Sequence, residues 1–93
     1  MNDKQKRYCC EILQHYGLQN QLWQTIEETS ELNQAIVKHH RYGTMDGILE
    51  ELADVEIMLA QIRMALNEEQ LARVDLITQS KLERQIARIR SGE

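Results

Sequence analysis

The sequence predicts an all-α protein, an antiparallel four-helix bundle completed by oligomerisation. Three observations carry that expectation. The 93 residues contain no Pro and only four Gly, against abundant Leu, Ile, Ala, Glu, Gln and Arg, a composition of strong helix formers. Apolar residues recur every three or four positions over long stretches. Glycines and Asn-led capping signals fall between those stretches at spacings that leave only short connections.

Taken in order, a first helix runs from about Asp3 to Tyr16 and stops at Gly17. A second starts near Asn20, read as its N-cap. It carries Leu22, Ile26, Leu32, Ile36 and Val37 on one broad face and stops near Gly43. A third begins around Thr44 to Asp46 and continues to about Leu66. The fourth is capped by Asn67, with Gln70 three residues on in capping-box position, and ends near Gly92. Residues 1–93 read as a single domain, with no repeat and no linker. Short connections bring sequential helices into antiparallel contact, so the second and third helices form a hairpin about His40–Asp46. So short a chain buries only a modest share of its unfolded surface, and a second copy is the usual way to complete such a core.

Bulk charge narrows the function. The formal net charge is −4 and the pI about 5.4, which argues against nucleic acid as a partner. Basic residues gather late in the chain while the middle is acid-rich. Cys9 and Cys10 are adjacent and project about 100° apart on a helix, which disfavours a disulfide between them. No signal-peptide core and no apolar run of membrane-spanning length is present, so no membrane partner and a cytoplasmic location are expected.

The informative element is the third helix. With Ile48 at zero on a helical projection, Val55, Leu59, Ile62 and Leu66 cluster within about 40° of it, and Met58, Ala65, Leu49, Leu52, Ala53 and Ala60 widen the apolar surface on both sides. Such a helix expects burial on most sides. Yet Glu51 projects at about −60° and Asp54 at about −120°, among or beside those apolar residues. An ionised carboxylate unpaired in such surroundings is costly. Two of them one turn apart cannot compensate each other and need a cation.

The second helix supplies the matching half. Glu28 and Glu31 stand three apart and share a face. Folding the hairpin about residue 43 brings Glu31 level with Asp54, with Glu28 and Glu51 staggered on either side. All-oxygen ligands of this kind suit Mg²⁺, with Mn²⁺ as the alternative. A di-iron site is disfavoured, because none of His15, His39 or His40 stands three residues after a Glu. A single E-x-x-E pair is ordinarily solvated surface; two pairs on neighbouring antiparallel helices are not ordinary. Glu56, also among apolar neighbours, expects Arg63 as its partner.

These residues resemble the signature of the all-α nucleotide pyrophosphohydrolase superfamily, the MazG and dimeric dUTPase group. Its pattern is E-E-x-x-E followed by E-x-x-D. Here it reads Glu27-Glu28-Thr29-Ser30-Glu31, then, after nineteen residues, Glu51-Leu52-Ala53-Asp54. The surrounding stretches QLWQTIEETSELNQAIVK and EELADVEIMLAQI resemble short MazG-like proteins of bacteria and phages. The likeness is dense from Gln21 to Met64, looser over the last helix and nearly lost over the first.

The resemblance implies Mg²⁺-dependent hydrolysis of a nucleoside triphosphate to the monophosphate and pyrophosphate, in the service of clearing non-canonical nucleotides. It implies Glu28, Glu31, Glu51 and Asp54 as catalytic metal ligands, with Glu27 in support. Lys38, seven residues after Glu31 and on the same face, is a candidate for a phosphate oxygen. Lys81, Arg84 and Arg88 form a basic stripe of the kind that grips phosphates in related proteins. Trp23, the sole Trp, is a candidate to stack on a base, with packing in a core or dimer interface as the competing role. Capping suffices for Gln21, and His39, His40, Arg41 and Tyr42 are candidates for the pocket mouth. One copy of the motif in so short a chain leaves the pocket open, so a homodimer or dimer of dimers is expected. The competing reading is a MazG-like binding or assembly module with little turnover.

Overall fold

A computed structural model describes residues 1–92. Four helices follow one another, α1 (Asp3–Tyr16), α2 (Leu18–Tyr42), α3 (Asp46–Met64) and α4 (Glu68–Arg90). No strand occurs among the described residues, so the chain is all-α.

The helix ends follow from local chemistry. Asn2 and Asn67 each cap a helix through a reciprocal box: the Asn side chain accepts from the backbone N–H of Gln5 or Gln70, whose own side chain accepts from the Asn backbone N–H. Gly17 separates α1 from α2 with a single residue. Gly43 takes the left-handed conformation (φ 71°), and its N–H closes on the His39 carbonyl, which ends α2 and reverses the chain. His39 Nδ1 lies 3.2 Å from the Thr44 carbonyl oxygen across that reversal. Only Gly43, Thr44 and Met45 separate α2 from α3, and these two helices form the principal packed pair of the molecule.

Small residues set how closely that pair approaches. A Cβ added at Gly47 would sit 3.5 Å from the Ala35 side chain, with Ala35 itself buried. Further along, Val55 and Met58 of α3 and Cys9 of α1 complete the apolar core. At the far end the link is polar: Gln21 Nε2 donates to Gln61 Oε1 at 2.9 Å, and Gln61, 1% exposed, donates in turn to the Ile57 carbonyl at 3.3 Å. Capping does not describe Gln21, therefore; it is buried four residues into α2, bonded to the facing helix. Asn20 is not an N-cap either. The helix already starts at Leu18, and Asn20 Nδ2 donates back to the Tyr16 carbonyl at 2.7 Å.

The fourth helix departs from the expected bundle. It does not pack along any of the other three. Among the described residues, the ion pair that links it to them is long and solvent-exposed, Arg63 to Asp75 at 4.0 Å, of little energetic weight. That contact also replaces the Glu56 partner expected for Arg63. Leu76, Ile77, Leu82, Ile86 and Ile89 of α4 are all exposed, as are Leu49, Leu52 and Leu59 of α3. The third helix is thus covered on fewer sides within one chain than its sequence demands. The radius of gyration, 16.4 Å, compares with about 12 Å for a compact domain of this length. The accessible surface of 7596 Å² compares with roughly 5,600 Å² for a compact monomer of this mass.

The buried amide pair yields a stability prediction. Gln21→Leu leaves the Gln61 carbonyl oxygen without its donor, and costs about 1–3 kcal/mol. The double replacement with Gln61→Leu removes both polar groups and recovers part of that loss. Urea unfolding of the two single variants and the double variant measures the coupling.

Candidate metal centre

The two carboxylate pairs meet in the α2–α3 groove. One oxygen from each of Glu28, Glu31, Glu51 and Asp54 lies within 4.8 Å of every other. Each pair is one turn apart on its own helix, so the pair shares a face. The tight reversal at residues 43–45 and the close Ala35–Gly47 contact hold the faces together. Glu28 and Glu51 are half-buried, and Glu31 and Asp54 exposed. The cluster therefore has a floor and an open side.

Among the described residues, the buried side-chain oxygen or nitrogen atoms without a hydrogen-bond partner are Oε2 of Glu28 and Oε2 of Glu51. Both belong to this cluster. Glu28 is only half satisfied: its Oε1 accepts from Gln24 Nε2 at 2.9 Å. No Lys, Arg or His is ion-paired with any of the four among the described residues. The mutual repulsion registers on Glu31. The charge of Glu28, then that of Glu51, raises its carboxyl above the ordinary range, with lesser effects from desolvation, a hydrogen bond with Glu51 and the charge of Glu27.

A hard divalent cation fits this donor set. Four carboxylates, two of them contributing buried and unpartnered oxygens, are the ligands that Mg²⁺ or Mn²⁺ prefers. An open side leaves room for water and a substrate oxygen, which Mg²⁺ usually retains.

Around the cluster lie two clefts. One, of about 550 Å³, is bordered by Glu31 and Glu51 of the cluster and by Gln34, Lys38, Thr44 and Glu50. Lys38 thus opens onto the same space as two of the carboxylates. The other, of about 480 Å³, is lined by Tyr16, Asn20, Gln21, Trp23, Gln24 and Glu27. Trp23 is 65% exposed, so it packs in no core of this chain. His39, His40, Arg41 and Tyr42 do not line the cleft beside the carboxylates itself; Arg41 and Tyr42 line an adjoining one that shares Gln34 and Lys38 with it. Lys81, Arg84 and Arg88 ride on α4, which does not pack along α2 or α3 of its own chain. Gln24, which holds Glu28, went unremarked in the sequence; its i, i+4 spacing to Glu28 was the available signal.

The repulsion has a sign in pH. A carboxyl whose proton affinity is raised on folding favours the folded state below its unfolded pKa, and that contribution is lost as pH rises through the raised value. At neutral pH without divalent ions, Glu31→Gln is therefore expected to melt above the wild type. The gap closes toward pH 4. Added Mg²⁺ raises the melting temperature of the wild type and much less that of the variant. Thermal melts with EDTA or Mg²⁺ at both pH values measure all three effects.

The chain matches no family model, no curated protein and no solved structure.

Proposed function

We propose that this chain is a Mg²⁺-dependent nucleotide pyrophosphohydrolase of the MazG-like kind, acting as a homodimer or dimer of dimers. The observation that carries the reading is the meeting of four carboxylates in one groove, with two buried oxygens that have no partner. A groove without a cation gains nothing from that arrangement, since apolar residues would pack there at lower cost. The motif pair Glu27–Glu31 and Glu51–Asp54 resembles that superfamily, and the adjoining Lys38 supplies a cation suited to phosphate.

Glu28, Glu31, Glu51 and Asp54 would hold the Mg²⁺, with Mn²⁺ as substitute. The bound ion supplies neutralisation of polyphosphate charge and a lowered pKa for water. In the reaction the oxygen of water bonds to the α-phosphorus. The bond from that phosphorus to the α–β bridging oxygen breaks, and pyrophosphate departs with the electron pair. The water gives up its proton to Glu28 or Glu31. Lys38 steadies the departing phosphates. No nucleophilic side chain is required.

The expanded shape supports an assembly. Its surface exceeds that of a compact monomer by roughly 2,000 Å², about what one subunit of an obligate homodimer buries. A second copy laid against the apolar stripe of α4 and the exposed leucines of α3 would complete the bundle. The same docking would offer Lys81 and Arg84 to a polyphosphate in the partner's cleft, and Arg88 follows on the same stripe. Clearing of non-canonical nucleotides is the role that suits such an enzyme.

Two measurements test this. Incubation with a panel of canonical and modified NTPs and dNTPs and Mg²⁺ is expected to release pyrophosphate and monophosphate. Glu51→Gln or Asp54→Asn reduces that release by about 100-fold or more. Mg²⁺-dependent nucleotide binding without any release would instead identify a binding module. In sedimentation the wild type runs as a dimer or tetramer, and Leu82→Glu with Ile86→Glu shifts it toward the monomer.

A further inference from the structure

Gln24 stands one turn before Glu28 on α2, and its Nε2 donates to Glu28 Oε1 at 2.9 Å. Both side chains are half-buried. The other oxygen of Glu28, Oε2, is buried without a hydrogen-bond partner. The two oxygens of one carboxylate are thus made unlike, one committed to an N–H and the other bare. A lysine or arginine at this spacing would also reach the carboxylate. An amide fixes the oxygen and adds no positive charge, so it does not compete with a cation for the cluster.

The same local bond occurs on α4, where it serves as an internal control. Gln79 Nε2 donates to Glu83 Oε1 at 2.8 Å, again across four residues. There both side chains are exposed, and Glu83 lies outside the carboxylate cluster. That pair shows what such a bond does for a helix alone. Gln24 instead places it on a carboxylate that has an oxygen within 4.8 Å of those of three others.

Divalent cations differ in how they take a carboxylate. Ca²⁺ gathers about six to eight oxygens and readily takes both oxygens of one carboxylate. Mg²⁺ is smaller, demands a near-ideal octahedron and keeps several of its places for water. Glu28, with Oε1 tied back to Gln24, offers one unencumbered oxygen. That suits Mg²⁺ and handicaps Ca²⁺.

We propose that Gln24 is a positioning residue that sets the cation preference of the cluster: by holding Oε1 it presents Glu28 through Oε2 and favours Mg²⁺ over Ca²⁺. The inference rests on the reading of the four carboxylates as a Mg²⁺ site, and adds to it a residue that discriminates between ions.

Calorimetric titration of the full-length protein with Mg²⁺ and with Ca²⁺, without nucleotide, reads both affinities and involves no turnover. Gln24→Met keeps the length of the side chain and removes the donor. Gln24→Ala removes the donor with the least demand on packing. In both variants the ratio of the Ca²⁺ to the Mg²⁺ dissociation constant is expected to fall about 10-fold. Gln79→Met is expected to leave that ratio and both affinities at the wild-type values. Equal weakening of the two ions in the Gln24 variants, with the ratio unchanged, reduces Gln24 to a support of the helix and overturns the inference. An equal change of ratio in Gln79→Met overturns it as well, and either result leaves the metal site standing. Failure of the wild type to bind either ion overturns the metal reading and the inference together.

Discussion

The closeness of four like charges is the constraint on which the rest of the structure turns. In this groove, part buried and part open to solvent, carboxylates within 4.8 Å of one another repel. The fold nonetheless forces them together. Ala35 and Gly47 let α2 and α3 approach, a three-residue reversal fixes their register, and the Gln21–Gln61 bond closes the far end. Packing thus works against electrostatics at the centre of the hairpin. Under the proposed function a divalent cation would reconcile the two by taking the carboxylates as its ligands.

The distribution of small and polar residues makes sense in those terms. The groove has two ends fastened by different means, an apolar contact near the reversal and a buried amide pair near the start of α2. The carboxylates lie between them, where neither end can yield easily. Gln24 adds a restraint on Glu28 itself, bonding one oxygen and leaving the other unpartnered. If Glu28 takes up the proposed cation, a side chain already held in one rotamer by such a neighbour would lose little further entropy.

Much of this was legible from the residues alone. The capping box Asn67–Gln70 fixes the start of α4 locally, and Gly17 and Gly43 end helices through backbone geometry that does not depend on the rest of the fold. The cluster was legible because E-x-x-E and E-x-x-D each define a face, and a short loop leaves the two faces one way to meet. What escaped depends on register or on surroundings beyond the helix. The pairing of Gln21 with Gln61 joins residues forty apart, and periodicity along one helix says nothing of the partner opposite. Asn20 resembles a cap, but the break at Gly17 already starts the helix at Leu18 and leaves its amide for Tyr16. The apolar stripe on α4 states that the helix must be covered, and is silent on whether the cover comes from its own chain.

That last ambiguity bears on how site and assembly relate. The four carboxylates of the cluster all come from α2 and α3 of one chain. The apolar surface is less self-contained: α4 and the outer face of α3 carry leucines and isoleucines in excess of anything the chain covers itself. A helix such as α4 draws most of its stability from packing rather than from propensity, and here its own chain supplies almost none. The carboxylate cluster therefore forms within one chain, whereas that chain leaves much of the apolar surface of α3 and α4 uncovered. Under the proposed function, cation affinity would follow from the geometry of the hairpin. The two features share α3, which carries Glu51 and Asp54 as well as the exposed Leu52 and Leu59.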